Sequence, residues 1–360
     1  MPSLQEVARE AGVSIATASL VLNSGVAKSS RFSPECATRV KAAADKLGYV
    51  PNYLAQSMKR GRSNALAIAL DVRELTTANR GVLGNNYFGT LLGAVEAEAR
   101  TRGNQITIVG PTGNVLAFDL GLLGIRQRRF DGMIVPGVTI GPDRAEIMAA
   151  HKPAPIVLVE YRKPSPFPVV DWDETAGFDM GMDHLTRLGH RSILWLAPVH
   201  APGHARATDR TDMFGAYCQR HGIRGENLFF EWPPFEKPYT AFVDAAARVL
   251  SERLTKGEKS FTAIMCYNDY TGIGALRSLY AQNIRVPDRI SVVSIDDVEA
   301  GLSVPGLTSV SHALEGMGAK ATEMLLKMVN DAEQCHALRG QREIIKPTLC
   351  VRETTGPAAS

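Results

Sequence analysis

The sequence predicts a two-lobed α/β body, made of two doubly wound parallel sheets, behind a small all-α helix-turn-helix domain. Three observations carry this. After residue 64, short apolar runs alternate with helical stretches, the pattern of buried parallel strands joined by crossover helices. The first fifty residues show a helical period instead, broken at Gly12 and Gly48. Charge is also divided unevenly: residues 1–62 hold nine Lys/Arg against four Asp/Glu, a net of +5, while the rest is net −2. A basic head on a near-neutral body suits a polyanion-binding module.

In the head, Leu4, Val7, Ala8 and Ala11 share one helical face, and Gly12 ends that helix. Ser14 is placed to cap a second helix over about 15–23. Ala18, Val21 and Leu22 face its core, and Ile15, Ala16, Ser19, Leu20 and Asn23 form the opposite face. Ser33-Pro34 starts a third helix with Val40, Ala44 and Leu47 inward, ending at Gly48. Two short helices around a glycine turn, in a basic unit, point to DNA.

LQEVAREAGVSIATASLVLN, followed by SPECATRVKAAADKLGYVPNYLAQSMKRGRSNALAIAL, resembles the head of the LacI/GalR family of transcriptional regulators. The likeness extends over nearly the whole chain. It implies a homodimer on double-stranded, pseudo-palindromic operator DNA, commonly as a repressor, controlled by a sugar-like small molecule. Leu4 falls among the implied DNA contacts. Ser14, Thr17, Ser19 and Asn23 would meet phosphates, and Ile15, Ala16 and Leu20 base edges. Those three are apolar where many relatives carry Arg, His or Gln, so they can pack on thymine methyls but cannot form bidentate bonds to purines. The loop 24–32 is longer than in the shortest relatives and adds Lys28 and Arg31.

Residues 51–63 form the hinge between a head of 1–50 and an effector-binding and dimerisation domain of 64–354. Pro51 stops the third helix, Asn52 can cap a short new one, and Gly61 ends it. The resemblance implies that paired hinge helices open the central minor groove. Met58 would be the wedge, Ala55 would permit close approach, and Lys59 would lie near phosphates.

In the body the apolar runs are 65–70, 106–110, 132–136, 155–160, 192–197, 263–267 and 290–296. Helical stretches are 88–102, 174–188, 211–222, 239–255, 271–282 and 314–330. A split near 171–175 separates the lobes. The resemblance makes the body periplasmic-binding-protein-like, with the chain crossing back near 297–303 and again near 333–340. The first lobe would then hold about 64–172 and 303–333, the second about 173–297 and 340–354. Ligands bind such sheets at strand C-terminal ends. There the resemblance implies effector contacts from Tyr87, Phe88, Glu160, Arg162, Arg210, Phe235, Asn268, Asp269 and Asp296. Residues 73–85 read as an insertion, and the tail GPAAS as frayed.

Other classes find little support. There is no GxxxxGK[ST], GxSxG or HExxH, and Gly272-Ile-Gly274 is only part of a dinucleotide fingerprint. No cofactor or metal is expected; His200 and His204 are four apart, but Pro202 and Gly203 intervene. A transport-type solute-binding protein would fit the body but not the basic head. No apolar run is long enough for a membrane span, and the first residues lack a signal-peptide pattern. With five scattered cysteines and no CxxC, a reduced, cytoplasmic location is expected.

Overall fold

A computed structural model describes residues 2–23, 32–70, 86–137, 154–199, 205–233, 240–257 and 260–359. The chain divides into two compact units, Met1–Asn64 and Ala65–Ser360.

The head contains α1 (Leu4–Glu10), α2 (Ile15–Asn23), α3 (Pro34–Leu47) and α4 (Tyr53–Arg60). Ser3 and Glu6 form a capping box on α1. The Ser14 hydroxyl accepts from the Thr17 amide at 3.1 Å at the start of α2. Ser33 caps α3, and Gly48, at φ 62°, closes it with two backbone bonds in the left-handed conformation that glycine adopts without a Cβ penalty. Val7, Ala8, Ala18, Val21, Val40 and Ala44 form a small buried core. α4 starts with the Asn52 side chain accepting from the Ala55 amide, and the Tyr53 hydroxyl donates to the Ser63 carbonyl.

In the body, β1 (Ala65–Ala69), α5 (Asn86–Thr101), β2 (Gln105–Val109), α6 (Ala117–Arg126), β3 (Gly132–Pro136), β4 (Ile156–Val159) and β5 (Val169–Trp172) build the first lobe. Then α7 (Glu174–Arg187), β6 (Ser192–Pro198), α8 (Ala205–His221), β7 (Arg224–Phe230), α9 (Thr240–Thr255), β8 (Ala263–Cys266), α10 (Asp269–Ala281), β9 (Ser291–Asp296) and β10 (Thr308–Ser311) build the second. α11 (Leu314–Asn330), α12 (Ala332–Ala337), β11 (Arg342–Ile345) and β12 (Thr348–Cys350) follow. The sheet orders are β11-β5-β4-β3-β1-β2 and β12-β10-β9-β8-β6-β7. Among the described residues every ladder is parallel except β10–β12. Strands such as β3, β4 and β8 are buried along their whole length, as parallel strands covered on both faces must be.

The crossings lie later than the sequence suggested. β10 pairs with β9 (Thr308 opposite Val293), so residues 303–311 belong to the second lobe. The chain returns to the first lobe at 312–313, where α11 packs on α5 so closely that a Cβ on Gly318 would meet the Leu91 carbonyl at 3.1 Å. β11 pairs with β5 (Arg342 opposite Val169) in the first sheet, so the second crossing is at Lys346-Pro347. Thr-Ser-Val-Ser and Arg-Glu-Ile-Ile are four-residue strands without an apolar run, so pairing, not sequence pattern, decides their sheet. The tail is not frayed. Gly356 donates its amide to the Ser291 hydroxyl at 3.1 Å, and Ala358 donates to the Leu188 carbonyl at 2.8 Å. Among the described residues, no helix is long and apolar enough to cross a membrane.

Candidate DNA-binding and effector sites

The inner face of α2 is held by the head core, which leaves the other face outward. Ile15 is 49 % exposed and Leu20 38 %, and Ala16 lies exposed beside them. The hydroxyls of Ser14 and Thr17 lie 2.8 Å apart at the start of the helix, and Ser19 is half-buried. Leu4 is half-buried, with its side chain packed against the head core. On α4, Met58 is 84 % exposed, and Asn52 and Ala55 are also exposed. The side chains of Asn23 and Lys59, and all of Lys28 and Arg31, lie outside the described residues.

In the body, strand C-terminal ends bring charged residues together. Glu160 and Arg162 follow β4, Asp296 ends β9, and His312 follows β10. Glu160, Asp296 and Ala313 have φ of 55°, 120° and 56°, values side-chain-bearing residues adopt at a cost and keep mainly at functional sites. The Tyr87 hydroxyl, from α5, donates to Glu160. His312 Nδ1 lies 3.4 Å from Glu160 and Nε2 2.8 Å from Asp296, while Trp172 stacks on the imidazole at 4.4 Å. Arg210, 2 % exposed, donates to Glu174 at 2.7 Å and to the Tyr267 carbonyl at 2.6 Å. Its guanidinium also lies over the Tyr267 ring. Arg162 reaches from the first lobe to Glu174 and Asp209 of the second. Burial by itself lowers the His312 pKa, but the charges of Asp296 and Glu160 outweigh it and raise the value.

Phe235 lies outside the described residues; of the other eight expected effector residues, four join this cluster through their side-chain charges: Glu160, Arg162, Arg210 and Asp296. Tyr87 joins by its hydroxyl. Three do not. Phe88 is 5 % exposed in the core, edge-on to Tyr87. Asn268 caps α10, accepting from the Thr271 amide at 2.9 Å. Asp269, fully buried, accepts from the hydroxyls of Ser294 and Ser309 and the amides of Val298, Glu299 and Ala300, so its lone pairs hold the loop after β9. Burial, then the charge of Asp296, raises its pKa against those bonds. Sequence reasoning missed Trp172, Glu174, Asp209, Tyr267 and His312. Trp172 and Glu174 flank the lobe junction and Tyr267 follows a recognised strand, so their positions carried a signal. His312 carried none, because its strand was not recognised. Among the described residues, no group of three His, Cys, Asp or Glu could hold a metal; His200 and His204 lie outside them.

Comparison with known proteins agrees with this division. Residues 3–52 match bacterial regulatory proteins of the lacI family, and residues 182–355 match the periplasmic binding protein-like domain. The ribose operon repressor of Escherichia coli (strain K12) is 26 % identical over 98 % of this chain and 99 % of its own. The HTH-type transcriptional regulator GalR of the same strain is 28 % identical over 98 % and 96 %. The fold is that of the lac repressor dimer bound to operator and the anti-inducer ONPF, at a TM-score of 0.76, 24 % identity and 99 % coverage of both chains.

Proposed function

The chain belongs to the LacI family of transcriptional regulators, its head joined to a periplasmic binding protein-like body, and from that premise we propose that it is a repressor which binds a pseudo-palindromic operator as a homodimer. The relatives are regulators, not enzymes. The observation that carries the DNA reading is the outward face of α2, where Ile15, Ala16 and Leu20 stand exposed on a basic head. In this reading α2 lies in the major groove. Ser14, Thr17, Ser19 and Asn23 set its register on phosphates, and the three apolar residues favour thymine methyls. Asn52, Ala55, Met58 and Lys59 bring α4 to the minor groove, with Met58 as the wedge.

The effector is a sugar or sugar-like molecule in the cleft. Support comes from the cluster of Glu160, Arg162, Arg210 and Asp296 with aromatic rings nearby, and from relatives named for ribose and for the lac system. Arg162, Glu174 and Asp209 join the lobes, so a ligand that competes for them changes the lobe angle. That couples two distinct sites through two global states. The protein acts in the cytoplasm. The test is selection of binding sites from random DNA with the full chain, followed by titration with ribose, galactose and cellobiose. Enrichment of an inverted repeat whose binding one sugar alters supports the reading. Salt-dependent binding without sequence preference refutes it.

A further inference from the structure

His312 carries a combination that the effector reading does not use. Its ring is 2 % exposed and faces a carboxylate at each nitrogen, Glu160 from the first lobe and Asp296 from the second. A neutral imidazole has only one N–H, so one nitrogen would present a lone pair to a carboxylate oxygen. Only the imidazolium suits both sides. The indole Nε1 of Trp172, stacked on the same ring, is buried with no hydrogen-bond partner. The other groups facing the ring are Tyr87 from α5, edge-on, and Arg210 from α8, which lies 4.0 Å from Asp296. Buried donors without partners are rare in folded proteins. This one, beside two carboxylates, makes a set of donor and acceptors that adjacent hydroxyls satisfy, since each hydroxyl both gives and takes a bond.

We propose that His312 sets up the effector site: as an imidazolium it ties Glu160 to Asp296 across the cleft and holds both in place, and an uncharged, hydroxyl-rich effector takes a bond from the Trp172 indole while giving bonds to the two carboxylates. The effector therefore excludes anionic relatives such as sugar phosphates and sugar acids. Among the described residues, Arg162 and Arg210 are already held by Glu174 and Asp209, and an anion would face Glu160 and Asp296 with only His312 to offset them. The inference rests on the effector reading of this cleft. It adds the charge class of the ligand and a dependence on pH.

The test uses the full chain and thermal shift at pH 6 to 10, with ribose, galactose, cellobiose, their phosphate esters and their acids as probes. The expected result is stabilisation by a neutral probe and not by its anionic counterparts, weakening at least about tenfold as His312 loses its proton, the size of one charge-assisted bond. His312→Gln should lower affinity by a similar factor and flatten the pH profile. Trp172→Phe, which keeps the stack but loses the N–H, should weaken binding with the profile retained. Binding only of anionic probes, binding of none, or identical profiles in wild type and His312→Gln each overturns the proposal. If His312→Gln does not fold, unchanged affinity in Trp172→Phe overturns it. Operator binding by the same samples without probe is read separately, so a failed DNA function and a failed effector site are distinguishable.

Discussion

Replacing Asp269 separates a structural carboxylate from a ligand contact. Its Oδ1 takes two serine hydroxyls at 2.7 Å, and its Oδ2 takes three backbone amides at 2.8, 2.9 and 3.1 Å. In Asp269→Ala the serines can turn to other acceptors, but the amides are fixed. Three orphaned buried donors at roughly 1–3 kcal/mol each would cost up to about 9 kcal/mol, and water entering the vacated space reduces this to about 3–5 kcal/mol. In Asp269→Asn the amide oxygen can serve the three backbone groups while its NH₂ faces the serine hydroxyls, which can accept; the cost falls to about 1–2 kcal/mol. Urea unfolding followed by tryptophan fluorescence would read both. The two variants should differ by at least about 1 kcal/mol. An alanine variant within about 1 kcal/mol of wild type that has lost its effector response would refute the reasoning and restore Asp269 as a ligand contact.

Three further outcomes are expected. Met58→Gly should weaken operator binding far more than binding to unrelated DNA in gel-shift titrations, whereas equal losses would remove the wedge role. Leu20→Arg should move preference toward a guanine-containing half-site by roughly 1–3 kcal/mol, and a selection from random DNA that returns the wild-type site would contradict the groove assignment. His190, 1 % exposed, is bonded to Thr262, Ser291 and the Gly356 carbonyl. Burial is the main cause that lowers its pKa. The unfolded chain then binds more protons than the native one, so stability should fall as pH drops below about 6.5 and through the lowered native value. His190→Gln should flatten that slope in thermal unfolding between pH 7.5 and 5, and an unchanged slope would show that other groups set it.

The sequence showed strongly periodic elements well and weakly periodic ones poorly. The head was legible because Gly12, Ser14, Ser33 and Gly48 punctuate it and because a helical face needs only a few apolar residues to show its period. Fully buried strands such as β3 and β4 were legible as apolar runs. β7 alternates exposed and half-buried residues at a sheet edge, and β10 and β11 mix polar and apolar residues, so nothing local marked them. At the cleft, residues next to recognised strands were placed near the site. Whether a carboxylate there faces a ligand or holds a loop depends on donors from residues 294–309, which Asp269 meets only after folding.

The late return of the chain to the first sheet bears on the order of events during synthesis. β11 covers the β5 edge and α11 packs on α5, so the first lobe begins at residue 65 but has no complete sheet until residue 345 has left the ribosome. β12 and the docked 354–358 segment then finish the second lobe almost at once. The lobes therefore mature together, not one after the other as independent domains usually do. Ribosome-bound nascent chains halted before about residue 340 should expose an unfinished β5 edge, an aggregation risk that lasts for most of the translation of the body.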